Sequence, residues 1–425
     1  MTVLVVGGGG REHALVWALS RDRSVSRIIC APGNAGIADL AACMAVDVAD
    51  PQAVLSLAAA VEADLTIVGP ELPLTRGVVN AFAAAGRAIV GPTREAAALE
   101  SSKAFAKAFM SRHSVPTARY RVCDDPDAAL GVIASGEFSY PVVLKADGLA
   151  AGKGVVVAPD GAAAEAAVRE AMVARRFGDA GDRLVIEEFL EGREASFFVV
   201  TDGRAAVTLP SAEDHKRAFD RDQGPNTGGM GAFAPSPLID AAASRRVLDA
   251  IVYPVIEGMR AEGREFRGFL YVGLMMTRDG PKVVEFNVRL GDPETQVVLP
   301  LVGDGFVPIL SQAAAGRLEE TACPASDRAA VGVVLASAGY PEKYETGKRI
   351  TGLERASSMG DVIVFHAGTA ARGGDIVTAG GRVLTVVGLG TDYREAIRRA
   401  YEAAGLVSFE GRHFRRDIGA RAVMS

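Results

Sequence analysis

Short apolar segments alternate with helical segments along the first hundred residues, and this alternation restricts the fold more than any other feature of the chain. Strands separated by helices pair in parallel and form an open α/β sheet. The pattern predicts strands at 2–6, 28–31, 65–68 and 88–90 and helices at 12–20, 51–62 and 75–85. Ligands of such sheets bind at the carboxyl ends of the strands. Glycine- or proline-containing loops follow three of those ends, at 7–13, 32–36 and 69–73.

The pattern changes after the first hundred residues. Strands at 142–145, 155–158 and 183–188 and a helix at 162–174 predict a small α+β lobe. Residues 190–327 hold longer strands, a helix near 242–262 and the long polar loop Asp214–Gly231, and loops of that length are usually functional or disordered. A further unit begins near residue 328, with strands at 331–336, 362–367 and 382–388 and a helix at 392–404. Gly380-Gly381 predicts a tight hairpin turn in this unit. A chain of 425 residues is too long for one hydrophobic core, so we expect several domains.

The segment Lys282–Gln296, KVVEFNVRLGDPETQ, carries the clearest chemical signal. Its first half has the β-branched and aromatic composition of a strand. Glu285, Asn287 and Arg289 therefore share one face, with about 7 Å between neighbours. Carboxylate and amide oxygens are hard ligands suited to Mg²⁺ beside nucleotide phosphates, and the arginine offers a fork to a carboxylate or phosphate. The segment predicts a metal–nucleotide site next to an anionic substrate, closed by a Gly-Asp-Pro turn.

The loop Gly7–His13 lies between a strand and a helix, where a dinucleotide fingerprint would lie. The G-x-G-x-x-G spacing fails, because Glu12 or His13 stands where the third glycine belongs. A Rossmann cofactor site is therefore not expected. Free N–H groups at a helix start still favour an anion, and Arg11 adds positive charge. We expect a substrate phosphate here, and the alternative is a plain strand-to-helix turn.

The segment Gly148–Gly154, GLAAGKG, is similar to a Walker A loop but does not match it. Three residues instead of four separate its glycines, Gly154 replaces the Ser or Thr, and a strand follows instead of a helix. A glycine-rich hairpin of this kind predicts a mobile flap whose amides form an anion nest over phosphates, with an ordinary hairpin tip as the alternative. Lys145 ends an apolar strand, where burial requires an anionic partner such as a nucleotide phosphate. Lys103 is either a second phosphate ligand or a solvated helix residue.

Two further segments carry grouped charges. Residues 185–196 run from a strand through a turn into another strand, and such a hinge can pair its backbone with an adenine edge while Glu194 binds the ribose hydroxyls. Surface charges are the alternative. Asp214-His-Lys-Arg217 predicts a basic cluster facing phosphate, or else a solvated loop, and no partner for His215 can be assigned. The sequence has neither a G-x-S-x-G elbow nor a cysteine with a histidine signature, so positioning, metal and electrostatics are expected to carry catalysis, as in phosphoryl transfer.

Charge and cysteine content argue against several partners. The net charge of −6 disfavours nucleic acid. The four cysteines are scattered without a C-x-x-C pair, so we expect neither a disulfide framework nor a zinc site, and a reducing, cytoplasmic compartment fits. The sequence has no signal-peptide pattern at its start and no apolar run long enough to cross a bilayer, so no membrane partner is expected.

Together these segments resemble the ATP-grasp ligases, and most closely the glycinamide ribonucleotide synthetase family. The resemblance runs nearly end to end. It rests on GGGREHA from Gly8, APGNAG from Ala31, TIVGPE from Thr66, KADGLAAGKGV from Lys145, FGDA from Phe177, VIEEFL from Val185, DHKR from Asp214, GPNTGGMG from Gly224 and EFNVRLGDPETQ from Glu285. The long loop and the last motif are specific to this family among ATP-grasp proteins. Gly8, Val288 and Leu290 depart from its common residues, and none of them is a proposed ligand.

The resemblance implies an activity and a domain organisation. ATP, glycine and 5-phosphoribosylamine would give glycinamide ribonucleotide, ADP and phosphate through a glycyl phosphate, in the second step of purine biosynthesis. The implied domains are an N-terminal α/β substrate domain at 1–102, an ATP-grasp core at 103–120 and 190–327, a small mobile lid at 121–189 and a C-terminal α+β domain at 328–425. ATP with Mg²⁺ or Mn²⁺ would be the cofactors of a monomeric, cytoplasmic enzyme whose partners are these small molecules.

The resemblance also implies roles for individual residues. Glu285 and Asn287 would hold the metal, and Arg289 and Lys145 would be catalytic. The nucleotide would be bound by Lys103, Lys145, Gly152, Lys153, Gly154, Glu187, Glu188, Phe189, Leu190 and Glu194. The other substrates would be bound by Gly9, Gly10, Arg11, Glu12, Asn34, Asp214, Lys216, Arg289, Gly291, Asp292 and Pro293.

Three competing functions stay open. A related ATP-grasp enzyme could activate bicarbonate, although the loop Asp214–Gly231 argues against it. A non-catalytic nucleotide-binding protein could share the fold, although Glu285, Asn287 and Lys145 are all present. A dehydrogenase is disfavoured by the failed glycine fingerprint.

Overall fold

A computed structural model describes residues 1–148, 154–319 and 323–424 of the chain. The strands, in chain order, are β1 (Thr2–Gly7), β2 (Arg27–Pro32), β3 (Ala42–Cys43), β4 (Leu65–Val68), β5 (Ile89–Val90), β6 (Tyr120–Cys123), β7 (Val142–Ala146), β8 (Val155–Ala158), β9 (Leu184–Glu188), β10 (Arg193–Thr201), β11 (Ala206–Thr208), β12 (Glu213–Asp214), β13 (Arg217–Phe219), β14 (Gln223–Asn226), β15 (Gly231–Ala234), β16 (Gly268–Thr277), β17 (Gly280–Asn287), β18 (Ala329–Ala336), β19 (Val362–His366), β20 (Thr369–Arg372), β21 (Asp375–Thr378) and β22 (Arg382–Gly390).

The α-helices are fewer and mostly short. They are α1 (Gly10–Ser20), α2 (Pro51–Ala60), α3 (Glu71–Thr75), α4 (Val78–Ala84), α5 (Ala98–Ser101), α6 (Lys103–Arg112), α7 (Pro126–Ala134), α8 (Gly161–Val168), α9 (Ala241–Val247), α10 (Tyr253–Ala261), α11 (Glu294–Val298), α12 (Phe306–Ala314), α13 (Leu353–Ser357), α14 (Tyr393–Leu406) and α15 (Ala420–Val423). Within the described ranges, none of the helices is long and apolar enough to span a membrane.

The N-terminal sheet confirms the open parallel arrangement predicted from the alternation. Its order is β3-β2-β1-β4-β5 with parallel pairing throughout. Gly7 pairs with Pro32 and Val6 with Val68, so the three glycine- or proline-containing loops leave the same edge. The predicted helix at 75–85 is instead two short helices, α3 and α4. They are separated by Gly77, whose φ of +87° lies in the left-handed region that glycine adopts without a steric penalty.

The region predicted as the lid forms a separate antiparallel sheet with the order β6-β9-β7-β8. Helices α7 and α8 cover it, and residues such as Leu144, Ile186 and Ala164 form its own hydrophobic cluster. The predicted helix at 162–174 changes to a π-helical turn at Arg169–Val173. A lobe with its own core can change position as a unit, which is what a lid requires.

The central sheet carries the strand that the sequence singled out. It is antiparallel in the order β11-β10-β16-β17. Gly273 pairs with Glu285 but Leu274 pairs with Val283, so a bulge precedes Glu285 on β17. The predicted helix near 242–262 is divided into α9, a π-helical turn at Leu248–Val252, and α10.

The N-terminal and central sheets share two hydrophobic clusters. Val5 of β1 packs in one with Val200 and Phe269, while Leu4 packs in the other with Val199 and Leu270. Alternate side chains of one strand thus serve two cores, as the period of a strand requires. This packing fixes the carboxyl edge of the N-terminal sheet relative to β17.

The C-terminal sheet crosses the boundary implied at residue 328. Its order is β12-β15-β18-β22-β19, so residues 213–214 and 231–234 pair with strands of the last hundred residues. Helix α14 packs on it. The predicted hairpin at Gly380-Gly381 is wrong: β21 pairs with β20 and turns at Gly373-Gly374, whereas β22 pairs with β18 and β19. The sequence signal was misleading because a glycine pair also suits a link between two sheets.

Candidate active site

Glu285, Asn287 and Arg289 lie at the end of β17 on the face predicted for them. The intervening Phe286 and Val288 are buried, and the Arg289 Nη2 donates to Asn287 Oδ1 at 3.1 Å. The bulge precedes Glu285, so it leaves the alternation beyond that residue intact. Among the described residues, none donates a hydrogen bond to the Glu285 carboxylate or pairs with it. The half-exposed Glu285 carboxylate thus lies two residues from the Asn287 amide oxygen and has no hydrogen-bond or ion-pair partner among the described residues.

The Arg289 guanidinium is held by two acids. Its Nη2 is 2.9 Å from Glu100 Oε1 and its Nε is 3.3 Å from Glu71 Oε2. Burial disfavours its charge, but Glu100 and Glu71 outweigh burial and raise the pKa of Arg289. Burial raises the pKa of Glu100, while Arg289 acts in the opposite direction. The guanidinium that was predicted to bind an anionic substrate is therefore oriented by two carboxylates of the protein, and its contact with a substrate stays a prediction.

Two lysines converge on one buried glutamate. Lys145 Nζ lies 3.0 Å from Glu187 Oε1 and donates to the Val284 carbonyl at 3.0 Å. Lys107 Nζ lies 2.8 Å from Glu187 Oε2. Burial lowers the pKa of Lys107 to about 8, with Glu187 opposing that effect. Lys145 therefore has an anionic partner in the protein itself, and the predicted contacts of Lys145 and Glu187 with a nucleotide stay predictions.

Lys103 begins α6 and lies at the same place. Its Nζ donates to the Gly148 carbonyl at 2.8 Å. Burial lowers the pKa of Lys103, Glu285 raises it and Lys145 lowers it further. These three charges therefore act on one another across the site. Lys103 is half-buried and part of the site, which disfavours the solvated alternative.

The residues at the end of β9 and directly after it differ in their contacts and accessibility. Glu188 pairs with Arg119 at 2.7 Å on the surface, and its assignment to the nucleotide stays a prediction. Phe189 is 41% exposed and Leu190 is half-buried, so both are accessible. Gly154 accepts a backbone hydrogen bond from Ala146 at 2.8 Å. Gly152 and Lys153 lie outside the described residues.

Glu194 and Lys216 form an ion pair across the site. Lys216 Nζ lies 2.6 Å from Glu194 Oε2, and Lys216 is the main cause that lowers the pKa of Glu194. Burial raises the pKa of Asp214 to about 7, with Lys216 opposing it and Glu294 adding to it. The apo side chains of Glu194 and Lys216 therefore satisfy each other, and a ligand would have to share or replace that contact.

The basic cluster predicted at 214–217 does not include His215. His215 is buried, its ring packs against Phe233, and its two nitrogens have no hydrogen-bond partner among the described residues. Burial, followed by Arg415, lowers the pKa of His215 to about 3, so the ring is neutral. Arg217 donates to the Gly224 carbonyl at 2.7 Å. Alternation along this segment turns neighbouring side chains to opposite sides.

The glycine loop ahead of α1 is occupied by the protein's own carboxylates. Glu12 Oε2 accepts from the Gly9 N–H at 2.6 Å, and its Oε1 accepts from Arg11 Nε at 2.6 Å. Asp292 Oδ2 accepts from the Arg11 N–H at 3.3 Å. Arg11 and Glu12 are buried and paired with each other, and their predicted contact with a substrate phosphate stays a prediction. A Cβ on Gly10 would collide with Gln296.

Asn34 connects loops and is not a free ligand. Its Nδ2 donates to the carbonyls of Gly8 at 3.0 Å and His366 at 2.8 Å, and its Oδ1 accepts from the N–H groups of Gly36 and Ile37 at 3.0 Å. Both ends of its amide are engaged within the protein, and its predicted contact with a substrate stays a prediction. It fixes the glycine loop against the C-terminal region.

The turn Gly291–Pro293 is the meeting point of several contacts. Asp292 Oδ1 accepts from Gln296 Nε2 at 2.9 Å and lies 3.4 Å from Arg382 Nη1. Behind the turn, buried Glu294 accepts from the Tyr271 hydroxyl at 2.9 Å. Burial and then Glu294 raise the pKa of Tyr271. The turn is thus held on both sides by charge-assisted hydrogen bonds.

Sequence reasoning missed five residues at this site: Glu71, Glu100, Lys107, Glu294 and Arg382. Lys107 could have been found, because it lies four residues after Lys103 on the same helix face. Glu71 closes one of the loops at the ligand-binding edge of the N-terminal sheet. Glu294 belongs to the Gly-Asp-Pro-Glu-Thr turn but was not singled out. Glu100 and Arg382 carry no local signal.

Known proteins resemble the chain along almost its whole length. Residues 1–100, 101–295 and 330–421 match the family descriptions "Phosphoribosylglycinamide synthetase" N domain, ATP-grasp (A) domain and C domain. The phosphoribosylamine–glycine ligase of Pseudomonas aeruginosa is 48% identical over 100% of this chain and 98% of its own length. The ligase of the same name from Chlorobaculum tepidum is 49% identical over 100% of both chains.

Solved structures agree with these relatives. The crystal structure of phosphoribosylamine–glycine ligase from Thermotoga maritima superimposes with a TM-score of 0.85 at 35% identity, covering 98% of this chain and 100% of that one. The biotin carboxylase domain of 2-oxoglutarate carboxylase from Hydrogenobacter thermophilus, solved with MgADP and bicarbonate, has a TM-score of 0.72 at 17% identity, covering 97% of this chain and 91% of that one. The second likeness concerns the fold alone.

Proposed function

The chain belongs to the phosphoribosylglycinamide synthetase family, and from that premise we propose how its residues perform the reaction. The protein is an ATP-dependent ligase that forms glycinamide ribonucleotide from glycine and 5-phosphoribosylamine in purine biosynthesis. The observation that carries the residue assignment is the uncommitted carboxylate of Glu285, which lies among Lys103, Lys145 and Asn287.

The reaction needs an activated carboxyl group. The carboxylate of glycine is anionic, which disfavours attack by an amine, and its oxygen is a poor leaving group. Transfer of the γ-phosphoryl group of ATP to a glycine oxygen breaks the bond to ADP and gives glycyl phosphate. The amine of 5-phosphoribosylamine then bonds to the carbonyl carbon, the C–O bond to phosphate breaks, and the nitrogen loses a proton. Most of the catalytic contribution is then positioning and charge stabilisation.

The nucleotide binds between the lid sheet and the central sheet in this proposal. Lys103 and Lys145 face the phosphates, and Glu187 with Lys107 keeps Lys145 in place. Phe189 and Leu190 lie beside the base, and Glu194 near the ribose after it releases Lys216. The lid sheet closes over the phosphates in this proposal. Lids of this kind exclude water from reactive intermediates.

Glu285 and Asn287 fit a divalent metal such as Mg²⁺ or Mn²⁺. They provide two hard oxygen donors, one of them a carboxylate that no described residue neutralises, two positions apart on one strand face. When bound with ATP, such an ion neutralises charge on the phosphate oxygens. Glu285 and Asn287 would hold such an ion, and the Glu285 carboxylate also opposes the lowering of the Lys103 pKa by burial.

In this proposal, glycine and 5-phosphoribosylamine bind beside Arg289 and the Gly291–Pro293 turn. Arg289 presents its guanidinium beside the Gly291–Pro293 turn, oriented by Glu71 and Glu100. Asp214 and Lys216 border the same region, since the charges of Glu294 and Glu285 raise the pKa of Asp214. Backbone groups of Gly9 and Gly10 form the wall toward the N-terminal sheet. Arg11, Glu12 and Asn34 support that wall through their contacts with the glycine loop.

The direct experiment supplies ATP with glycine, 5-phosphoribosylamine and bicarbonate, separately and in combination. We expect ADP and glycinamide ribonucleotide only when glycine and 5-phosphoribosylamine are both present. Bicarbonate-dependent ADP release without glycine would favour the carboxylase alternative. ATP binding without turnover under all mixtures would favour a non-catalytic protein. A monomeric state and a cytoplasmic location are also proposed, and analytical ultracentrifugation of the purified chain tests the first.

A further inference from the structure

Arg382 reaches from the C-terminal sheet into the substrate end of the site. It is the first residue of β22. Its Nη1 donates to the carbonyl of Gly228 at 2.6 Å and to the carbonyl of Asp292 at 2.6 Å, and lies 3.4 Å from Asp292 Oδ1. One guanidinium nitrogen thus joins the loop Asp214–Gly231 to the Gly291–Pro293 turn. These two segments are not adjacent in the sequence.

Gly228 and Gly229 lie at this junction, where little space is left for a side chain. A Cβ on Gly228 would lie 3.0 Å from Arg382 Cζ, and a Cβ on Gly229 would collide with Pro293. The φ of Gly229 is +110°, a conformation that other residues rarely adopt. The Tyr340 hydroxyl, also from the C-terminal region, accepts from the Gly228 N–H at 3.0 Å. The loop is therefore packed between Pro293 on one side and Arg382 with Tyr340 on the other.

Asp292 extends the junction to the N-terminal sheet. Its Oδ2 accepts from the N–H of Arg11 at the start of α1, while its Oδ1 and carbonyl face Arg382. Burial disfavours the charge of Asp292, but Arg382 and then Arg11 lower its pKa, so it stays ionised. Three parts of the chain that are distant in sequence are aligned through one aspartate.

We propose that Arg382 is a positioning residue for the ligation, which holds the Gly228–Gly229 turn against Asp292–Pro293 so that glycine and 5-phosphoribosylamine meet in a fixed geometry. The inference rests on the proposed function and adds a role for the C-terminal region to it. Arg382 makes no contact with Lys103, Lys145 or Glu187, so its effect falls on the glycine and amine substrates and leaves ATP binding intact.

The experiment compares Arg382→Ala and Arg382→Lys with Arg349→Ala in the full-length chain. Arg349 is an exposed arginine of the same region, paired with Asp375 at 2.9 Å, and serves as the matched control. We expect Arg382→Ala to raise the KM for glycine and for 5-phosphoribosylamine about tenfold or more, as loss of charge-assisted hydrogen bonds does. The KM and Kd for ATP should stay within about twofold, and Arg382→Lys should recover part of the loss.

Several outcomes decide the question. An equal rise in all three KM values, or kinetics indistinguishable from Arg349→Ala, would overturn the positioning role while leaving the ligase activity of the wild-type chain established. Failure of the wild-type chain to form glycinamide ribonucleotide would instead refute the proposed function. If Arg382→Ala does not fold, Tyr340→Phe tests the same junction through the Gly228 N–H. We expect a smaller change in the same two KM values, and no change would count against the proposal.

Discussion

Arg289 and Glu100 form a buried ion pair with 2.9 Å between Nη2 and Oε1, although 189 residues separate them in sequence. Glu100 also accepts from the Val288 N–H at 2.8 Å, so one carboxylate fixes both the backbone and the side chain at the end of β17. Arg289, for which we propose a substrate contact, is therefore oriented by the protein itself. Preorganisation of this kind lowers the cost of binding and of reaching the transition state.

Glu100→Gln tests this orientation. The substitution keeps the shape but removes the charge that holds Arg289, so the KM for glycine should rise several-fold, up to about tenfold, with little change in the KM for ATP. Steady-state kinetics with each substrate varied in turn measures it. The control is Glu257→Gln, an exposed glutamate on α10. A change in the KM for ATP as large as that for glycine would contradict the assignment of Arg289.

Glu285→Gln tests the metal ligand. The amide keeps the strand packing but binds a divalent cation more weakly, so kcat should fall by roughly 10²-fold or more. Circular dichroism and thermal unfolding should match the wild type, because no described residue forms a hydrogen bond or an ion pair with this carboxylate. Raising Mg²⁺ should recover part of the activity. Near-normal turnover at low Mg²⁺ would show that Glu285 is not a ligand.

Glu187→Gln tests the shared carboxylate of Lys107 and Lys145. Loss of its charge leaves two buried ammonium groups without a counter-ion, so the free energy of unfolding should fall by about 3 kcal/mol. The neighbouring Glu188→Gln is the matched control, because its pair with Arg119 is on the surface and should contribute less than about 1 kcal/mol. Denaturant unfolding of both variants measures the difference. Equal losses would mean that the buried network contributes no more than the surface pair.

His215→Leu tests the neutral buried histidine. Burial lowers the folded-state pKa of His215 to about 3, whereas an unfolded histidine titrates near 6.5. Between these values the unfolded chain binds one more proton, so stability falls as the pH falls from about 6.5 toward 3. The variant should reduce this slope by up to about 1.4 kcal/mol per pH unit. Unfolding at several acidic pH values measures it, and an unchanged slope would place the titration elsewhere.

Gly229→Ala tests the packed turn beside Pro293. A Cβ there meets both a left-handed φ of +110° and the proline ring, so stability and the affinity for glycine should both fall. Gly263→Ala is the matched control, since Gly263 has a φ of +71° but no atom near the added methyl. The control isolates the cost of the backbone conformation, about 1 kcal/mol. Thermal unfolding and glycine kinetics should separate the two variants.

Local sequence patterns are sufficient to predict the parallel N-terminal sheet, the central strand and the face shared by Glu285, Asn287 and Arg289. These features depend on the period of strands and helices and on glycine loops, which are local properties. The helix at 75–85 and the hairpin at 380–381 were mispredicted, because a glycine marks a turn without saying which strands pair afterwards.

The tertiary structure alone decided which charges satisfy one another. Arg11 turns to Glu12, Glu187 bridges two lysines, and Asn34 joins two loops, although each of these residues had the chemistry of a ligand. Arg382 contacts Asp292, which is 90 residues away in sequence, and no sequence motif indicates this contact. Ion pairs form between groups that packing brings within a few ångströms, and that proximity is set by how the sheets share their cores, which no local pattern encodes.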